Sequence, residues 1–305
     1  MTFAELEQKV LGGPRRTIAV AGARGDEVFT ALADAGGKGL ASFLLTGDPE
    51  LIESEAVQHG LTDYRVIPAG DDPEAAAAAV EAVRSGQADL IMKGKVPTAV
   101  LLKAVLDEKS VCNTGRLLSH ILVLETPEGR MLGVTDGGMN LRPDLDQKAD
   151  ILRSGVELFH SLGVNMPKVA VLAAMEKENP KMPESVDAAG LQRRWEAGEL
   201  PGCVVEGPVA LDLAISPQAC ELKAWEGNIQ GDADILLVHD IAGGNYLGKS
   251  LIYLAGYPGG GLVLGGGVPV ILLSRSDSAR EKYQSILLAL AHETGSRTGG
   301  KRESE

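Results

Sequence analysis

Short apolar runs alternate with longer amphipathic stretches along most of the chain. The runs place Val, Ile and Leu at consecutive positions, a pattern typical of strands that are covered on both faces of a sheet. They predict strands over residues 17–23, 41–47, 64–70, 88–94, 120–125, 130–136, 168–174, 202–207, 233–240 and 268–274.

The stretches between these strands carry helix signals. Residues 48–60 and 71–86 each have Pro near the start and Gly at the end, the usual asymmetry of helix termini. Helices are also expected over residues 96–108, 147–163 and 278–290. Alternating strands and helices predict an α/β fold with mainly parallel sheets.

Residues 120–136 depart from this alternation. Two strand-like runs flank the sequence TPEG, which predicts a β-hairpin. A hairpin within a parallel pattern favours a crossing of the chain into a second domain. The tail over residues 295–305 is polar and rich in Gly, and it is predicted to be disordered.

Composition and charge narrow the class of protein. A length of 305 residues fits one large or two medium domains, and 44% apolar with 23% charged residues is ordinary for a globular protein. The net charge of −13 argues against nucleic acid and anionic membranes as partners. The sequence has no signal peptide and no apolar run of membrane-spanning length, and its three cysteines form no CxxC pair. A cytoplasmic location is expected.

The sequence contains no recognisable metal-binding or nucleophile motif. Its five histidines form no HxxxH pair, and no GxSxG occurs. We therefore expect no metal site, and no motif marks a catalytic nucleophile.

One strand-to-helix turn concentrates polar side chains. Ser274 ends the last predicted strand, and ligands gather at this end of the strands in open α/β sheets. Arg275 adds a planar guanidinium suited to phosphate or carboxylate. Ser278 and Glu281 form a capping-box pattern, so the turn lies over a helix N-terminus, which favours anions. Capping explains the last two residues, although Ser278 is also a candidate for substrate binding, whereas Ser274 and Arg275 indicate an anion-binding site.

Polar groups lie near the ends of several other predicted strands. One alternative for Lys93 is an exposed loop, and one for Asp136 and Asn140 is a tight turn. Gly244 belongs to a glycine pair before a helix, which suits a phosphate, while a lone histidine such as His120 is more often structural. The candidates for substrate binding are Lys93, Thr98, Ser119, His120, Thr135, Asp136, Asn140, Asp212, Gly244, Asn245 and Lys249.

Seven blocks of sequence, taken in order, resemble the phosphate acetyl/butyryltransferase family. The blocks fall within residues 88–290 and read IMKGKVPT, LSHILVLE, VTDGGMNLRPDL with QK following, PKVAVLAAMEKENPKMP, VVEGPVALDLAIS, GDADILLVHDIAGGN with GKSL following, and SRSDSAREK. The length, without an additional N-terminal module, and TDGGMN followed by PDL are similar to the butyryl branch.

The resemblance implies an enzyme that transfers a short acyl group, butyryl or similar, between coenzyme A and inorganic phosphate. Coenzyme A and acyl-CoA would be substrates, with no tightly bound cofactor and no metal. The implied fold has two α/β domains with an interdomain cleft, similar to the isocitrate/isopropylmalate dehydrogenases. Residues 1–120 with 265–305 would form the first domain, and residues 121–264 the second. A homodimer or larger homo-oligomer is expected.

The resemblance also assigns roles by position. Ser274 and Arg275 fall on the family's serine–arginine motif and are expected to hold phosphate and the thioester carbonyl. In the acetyl branch a carboxylate seven residues after the serine is a proposed base for the CoA thiol, and this position is Glu281. Asp277 is the competing candidate, because Glu281 also fits the capping box. His239 departs from the family, whose members often have proline there.

The expected chemistry is direct attack in a ternary complex, with prearranged donors for the oxyanion. A phosphate acetyltransferase is the nearest alternative, since acyl-chain preference depends on pocket volume. A metal- and NAD-dependent decarboxylating dehydrogenase of related fold would need clustered aspartates, which these motifs do not provide. A non-catalytic protein that binds CoA esters is a third alternative, which an intact Ser274 and Arg275 disfavour.

Overall fold

The computed structural model describes residues 1–107, 110, 113–272, 274 and 276–299. Contacts divide the chain into two compact units, formed by the described residues of Met1–Arg116 with Gly259–Glu305 and by Leu117–Pro258. The domains expected from the sequence, 1–120 with 265–305 and 121–264, end a few residues from these limits. That these units are separate domains stays a prediction.

Helices and strands alternate along the chain. Up to residue 116 the elements are α1 (Phe3–Leu11), β1 (Arg16–Ala21), α2 (Asp26–Gly37), β2 (Ala41–Gly47), α3 (Pro49–His59), β3 (Tyr64–Pro68), α4 (Asp72–Arg84), β4 (Leu90–Lys93) and α5 (Thr98–Val105). Residues 117–258 contribute β5 (Ser119–Glu125), β6 (Met131–Thr135), α6 (Leu145–Leu162), β7 (Lys168–Leu172), α7 (Pro183–Glu196), β8 (Val204–Val209), α8 (Leu211–Ile215), α9 (Pro217–Leu222), β9 (Ile235–Leu237) and α10 (Ile241–Tyr253). From residue 259 onward come β10 (Gly259–Leu264), β11 (Val270–Ile271) and α11 (Ala279–Gly299). None of these helices, within the described residues, has both the length and the apolar composition to cross a membrane.

The sheet of the first unit has the strand order β3-β2-β1-β4-β11-β10. Neighbouring strands from β3 to β11 pair in parallel, and β10 pairs antiparallel with β11. The ends of β1 and β4 lie side by side, with Ala21 opposite Lys93. Gly94 follows at a point without room for a side chain, because a Cβ there would lie 2.2 Å from the carbonyl oxygen of Gly22.

The sheet of the second unit has the strand order β5-β6-β9-β7-β8. The predicted hairpin is confirmed, since β5 and β6 pair antiparallel, whereas the β6–β9, β9–β7 and β7–β8 pairs are parallel. Buried Leu132, Val134 and Leu236 belong to the apolar core of this unit. Both units are thus α/β, with mainly parallel sheets as predicted.

The glycines at the ends of residues 48–60 and 147–163 follow α3 and α6 as predicted, whereas α6 begins at Leu145, before the predicted start. Helix α3 begins after Asp48, whose side chain accepts hydrogen bonds from two backbone N–H groups, and ends at Gly60, which has a φ of 69°. Helix α6 begins with a capping box between Asp144 and Gln147 and ends at Gly163. These local signals therefore fix the ends of α3 and α6.

The sequence pattern does not predict β10, because its glycine-rich segment has a low strand propensity. The structure requires this composition. A Cβ on Gly260 would lie 2.7 Å from the backbone nitrogen of Ser285. The N–H of Gly261 donates to the Ser285 hydroxyl oxygen at 2.9 Å. Close packing of the strand on α11 overrides the propensity of its residues.

Among the other boundaries that differ from the predictions, two lie near the end of the chain. The strand predicted over residues 268–274 is limited, in the described part of that segment, to Val270–Ile271. The tail predicted to be disordered from residue 295 instead continues α11 to Gly299, because extending an existing helix costs little once it is nucleated. Residues 300–305 lie outside the described residues.

Candidate functional site

The turn after β6 is built around the Asp136 carboxylate. Its Oδ1 accepts hydrogen bonds from the backbone N–H groups of Gly138 and Met139 at 2.8 and 2.9 Å. Its Oδ2 accepts hydrogen bonds from the backbone N–H and the side-chain amide of Asn140 at 3.2 and 2.6 Å. Only 2% of Asp136 is exposed, so these donors replace water around the charge. The geometry is that of a tight turn, and the carboxylate holds the backbone of this turn in place.

Thr135 and Asn140 tie this turn to the residues at the start of β5. The Thr135 hydroxyl donates to the carbonyl oxygen of His120 at 2.9 Å, and Asn140 Nδ2 donates to that of Leu118 at 2.9 Å. Ser119, between these two acceptors, is buried. The structure therefore brings five of the sequence-predicted residues into one polar cluster: Ser119, His120, Thr135, Asp136 and Asn140.

A close approach of two glycines joins this cluster to α10. A Cβ on Gly244 would lie 2.7 Å from the Cα of Gly137, and one on Gly137 would lie 2.7 Å from the carbonyl carbon of Gly244. Asn245 Nδ2 donates to the carbonyl oxygen of Gly137 at 3.3 Å. The carboxylate of Asp240 accepts the Gly243 N–H at 2.9 Å and caps the helix. Gly244 thus has a packing role, and its contact with phosphate stays a prediction.

His120 carries an unpaired ring nitrogen within the cluster. Its Nδ1 is shielded from solvent and has no hydrogen-bond partner among the described residues. Burial lowers the pKa of the imidazole, and the Asp136 carboxylate opposes this effect in part. A Cβ on Gly138 would lie 2.8 Å from His120 Cγ, so the turn packs directly on the ring. The imidazole thus carries an unpaired ring nitrogen that the Gly138 turn covers.

Two other predicted residues of this unit have different surroundings. Asp212, in α8, pairs with Lys223 at 3.0 Å, and this hydrogen bond lowers the pKa of its carboxyl group. Strands β9 and β7 lie between β6 and β8, the strand that precedes Asp212. Lys249 is exposed on α10, with its Nζ 5.6 Å from the centre of the Tyr253 ring. The structure does not bring either residue into contact with the cluster around Asp136.

In the first unit, Ser274 lies in a turn closed by its own neighbours. The Ser274 N–H donates to Asp277 Oδ2 at 2.6 Å, and the Asp277 N–H donates to the carbonyl oxygen of Ser274 at 3.3 Å. The hydroxyl oxygens of Ser274 and Ser276 are 3.0 Å apart. Ser274 is exposed, so its hydroxyl is accessible to a ligand. Arg275 lies outside the described residues, and its role stays a prediction.

The capping box predicted at the start of α11 is present. Glu281 Oε2 accepts hydrogen bonds from the N–H and hydroxyl of Ser278 at 2.7 and 2.8 Å, and the Glu281 N–H donates to the Ser278 hydroxyl oxygen at 3.3 Å. Both residues are therefore engaged in starting the helix. The Asp277 carboxylate instead accepts the backbone N–H of Ser274, the residue that is expected to hold phosphate.

Lys93 and Thr98 stand on either side of the turn that joins β4 to α5. Lys93 is only 5% exposed, and its ammonium donates to the carbonyl oxygens of Gly94 and Val96 at 3.1 and 3.5 Å. The exposed-loop alternative for Lys93 is therefore wrong. Thr98 is exposed at the first position of α5. Their contact with substrate is untested and stays a prediction.

The two cysteines in the described part of the chain are poor nucleophiles. Cys203 and Cys220 are buried and free. Burial raises the pKa of the Cys203 thiol to about 11, and it also raises that of Cys220. A thiolate at either position is disfavoured near neutral pH. Cys112 lies outside the described residues.

A comparison with protein families tests the family resemblance of the sequence. The family described as "Phosphate acetyl/butaryl transferase" matches residues 72–290. The chain belongs to this family. The match includes the Ser274 turn, the Asp136 turn and the Gly244 packing contact.

Individual members of the phosphate acetyl/butyryl transferase family are similar over nearly their whole length. A phosphate butyryltransferase from Clostridium acetobutylicum is 40% identical over 94% of this chain and 97% of its own. A phosphate acetyltransferase from Thermotoga maritima is 37% identical over 94% of this chain and 98% of its own. The crystal structure of a branched-chain phosphotransacylase from Enterococcus faecalis superposes with a TM-score of 0.84 at 33% identity, covering 91% of this chain and 99% of that one.

Sequence reasoning missed a buried charge cluster within the family match. Lys148 is 1% exposed, and its Nζ donates to Asp187 Oδ2 at 2.6 Å and lies 3.2 Å from His239 Nδ1. Burial lowers the pKa of His239, the Lys148 charge lowers it further, and the Asp187 carboxylate opposes both. Lys148 is the last residue of one of the blocks that resemble the family, and its place in that block is the sequence signal that could have identified it. The pairing with Asp187 arises only in the fold.

Lys282 was also missed, although it ends the block SRSDSAREK. It is 5% exposed, and its ammonium donates to the carbonyl oxygen of Asp277. Burial lowers the pKa of this ammonium, against the opposing effect of Asp277 and of two glutamates. The buried side chain of Lys282 thus hydrogen-bonds the backbone of the Ser274–Asp277 turn.

Proposed function

We propose that this protein transfers a short acyl group, butyryl or similar, between coenzyme A and inorganic phosphate. The observation that carries this proposal is the similarity to the Clostridium acetobutylicum phosphate butyryltransferase, which covers nearly all of both chains. The accessible Ser274 hydroxyl at a strand-to-helix turn is consistent with the binding of an oxyanion.

The reaction proceeds by direct attack in a ternary complex. An oxygen of phosphate attacks the thioester carbonyl carbon, a tetrahedral oxyanion forms, and the carbon–sulfur bond breaks to give acyl phosphate and the CoA thiolate, which takes up a proton. Ser274 and Arg275 orient the phosphate and stabilise the oxyanion. The raised thiol pKa values of Cys203 and Cys220 support attack by phosphate itself rather than an acyl-enzyme on either cysteine.

Asp277 is the better candidate for the group that exchanges a proton with the CoA sulfur. Its Oδ2 lies 2.6 Å from the backbone nitrogen of Ser274, the residue expected to contact the thioester. The Glu281 carboxylate is instead held by two hydrogen bonds from Ser278. In the direction of acyl-CoA synthesis, Asp277 takes the thiol proton, and in the reverse direction it returns that proton to the leaving sulfur.

The cluster in the second unit supplies further binding groups. The contact of His120 with substrate rests on the family resemblance and on its place in this cluster. The Asn245 side-chain amide donates to the carbonyl oxygen of Gly137 in the same turn. The proposal also includes the remaining predicted contacts with substrate, which are those of Lys93, Thr98, Ser119, Thr135, Asp136, Asn140, Asp212, Gly244, Lys249 and Ser278.

The wider setting follows the family resemblance. We propose an isocitrate/isopropylmalate dehydrogenase type of architecture with an interdomain cleft, a homodimer or larger homo-oligomer, and a cytoplasmic location. Coenzyme A and acyl-CoA act as substrates, and no cofactor is held tightly.

The choice between butyryl and acetyl substrates rests on the size of the acyl pocket. The similarity to the Thermotoga maritima phosphate acetyltransferase supports acetyl transfer as the second candidate. The deciding experiment measures phosphate-dependent thiol release from acetyl-, propionyl-, butyryl- and isobutyryl-CoA. A kcat/KM higher for the four-carbon substrates supports the butyryl proposal, and a maximum at acetyl-CoA replaces it with the second candidate. No release from any of the four contradicts both.

A further inference from the structure

The first residue of α2 and the last turn of α3 bring three potential metal ligands together. Asp26 begins α2, and Glu55 and His59 stand one helical turn apart on α3. One carboxylate oxygen of each acid and a ring nitrogen of His59 lie within 4.8 Å of one another. The sequence shows no ligand motif for this group, because Asp26 is distant along the chain.

The distances within this cluster fit ligands around an ion better than hydrogen bonds. His59 Nε2 lies 3.5 Å from Asp26 Oδ1 and 3.8 Å from Glu55 Oε2. Hydrogen bonds between nitrogen and oxygen span about 2.7–3.2 Å, so both separations are long for a direct bond. Nitrogen and oxygen ligands about 2.0–2.2 Å from a tetrahedral Zn²⁺ stand roughly 3.3–3.6 Å apart.

Two atoms of the cluster are shielded from solvent and unsatisfied. His59 Nε2 and Glu55 Oε2 have no hydrogen-bond partner among the described residues. Their side chains are 14% and 18% exposed, while that of Asp26 is 76% exposed. A bound ion or an ordered water can satisfy buried polar atoms of this kind, and here the two atoms converge with a third ligand atom. The exposed side, at Asp26, is open to water ligands.

The imidazole of His59 is oriented as metal-bound histidines are. Its Nδ1 lies 3.3 Å from the Thr30 hydroxyl oxygen, and its ring stacks on that of Phe29, with centroids 6.1 Å apart. A hydrogen bond from Nδ1–H to the hydroxyl oxygen leaves the lone pair of Nε2 directed at the two carboxylates. Support of the distal ring nitrogen in this way is general for histidine ligands.

We propose that Asp26, Glu55 and His59 bind a divalent metal ion of the Zn²⁺ type, with water completing the coordination. One imidazole and two carboxylates suit Zn²⁺ and its first-row neighbours. The ion joins the start of α2 to the end of α3 and stabilises the first unit. This site is independent of the proposed acyl transfer.

The test uses the full chain after treatment with a chelator. Titration calorimetry with Zn²⁺ is expected to give one ion per chain, and Zn²⁺ at about 100 times its Kd is expected to raise Tm by roughly 5 °C. His59→Gln and Glu55→Gln are expected to weaken binding at least tenfold. His160→Gln is the matched control, because His160 also stands in the last turn of a helix but bonds the carbonyl oxygen of Gly202. This variant keeps the full response.

Two results would overturn the proposal. One is no stoichiometric binding by the wild-type chain, and the other is the same rise in Tm for His59→Gln as for His160→Gln. A simple ion pair between protonated His59 and the carboxylates gives the first of these results. Should the His59 variant fail to fold, Co²⁺ added to the wild-type chain decides the matter. Visible absorption bands that one equivalent of Zn²⁺ abolishes are expected, and their absence contradicts the site.

Discussion

Oε2 of Glu281 accepts hydrogen bonds from both the backbone N–H and the hydroxyl of Ser278, at 2.7 and 2.8 Å. Together with the bond from the Glu281 N–H to the Ser278 hydroxyl oxygen, this arrangement is a complete capping box. The carboxylate that the family resemblance suggests as a base therefore already has a structural function. Within the same turn, the Asp277 carboxylate accepts the Ser274 N–H at 2.6 Å, so the two candidate carboxylates have different partners.

Ser278→Ala is expected to lower the free energy of unfolding by about 1 kcal/mol, because it removes the N-cap hydroxyl of α11. Urea unfolding followed by circular dichroism measures the change. Ser278→Thr keeps a capping hydroxyl and is expected to retain most of the stability. Equal losses in the two variants would show that the hydroxyl does not cap the helix.

Asp277→Asn is expected to lower kcat for thiol release from butyryl-CoA by about 10²–10⁴-fold, because it removes the proposed proton-transfer group. Glu281→Gln is the matched control, since glutamine also serves in a capping box, and it is expected to keep a nearly normal rate. Steady-state kinetics with phosphate compares them. The opposite ranking would assign the base to Glu281, and two unaffected variants would place it elsewhere.

Gly244→Ala is expected to destabilise the protein by about 1–3 kcal/mol, because the new Cβ would lie 2.7 Å from the Cα of Gly137. Gly243→Ala, one residue earlier in α10, meets nothing nearer than 3.5 Å and is expected to gain about 0.5–1 kcal/mol from helix propensity. Denaturant unfolding measures both. A stabilising Gly244→Ala would contradict the close approach of the two backbones.

His120→Gln is expected to reduce the loss of stability in mild acid. Burial lowers the pKa of His120 below its ordinary value of 6.5, so the unfolded chain binds more protons once the pH falls below that value. The contribution to stability is therefore present above pH 6.5 and is lost as the pH falls towards the folded-state pKa. Unfolding free energies at pH 7.5 and 5.5 measure the difference.

The wild-type protein is expected to lose more stability than the His120→Gln variant between these two pH values. The variant still loses some, because burial also lowers the pKa of His239. An equal loss in both proteins would mean that His120 does not titrate with a lowered pKa.

Local patterns were sufficient for much of the fold. The two strand-like runs that flank TPEG predicted the β5–β6 hairpin, and the Pro and Gly at the ends of residues 48–60 predicted α3. Strand β10 was not predicted, because its glycines have a low strand propensity. A tertiary contact, that of Gly260 with Ser285, explains why glycine stands there. Propensity describes a residue by itself, and it cannot register a neighbour that arrives from elsewhere in the chain.

The candidate site was predictable to a similar extent. Thr135, Asp136 and Asn140 lie in one motif, and the structure places them in one turn. The pairing of Lys148 with Asp187 joins residues on two helices, and no spacing rule connects them. The one-turn spacing of Glu55 and His59 was visible in the sequence, whereas Asp26 joins them only through the packing of α2 against α3.

The proposal of acyl transfer to phosphate is tested most directly by following butyryl-CoA and phosphate with the purified protein, with free thiol and butyryl phosphate quantified together, the latter as its hydroxamate. The account predicts that thiol release requires phosphate and that one butyryl phosphate forms for each thiol released. Release of thiol without butyryl phosphate, or no release at all, would contradict it.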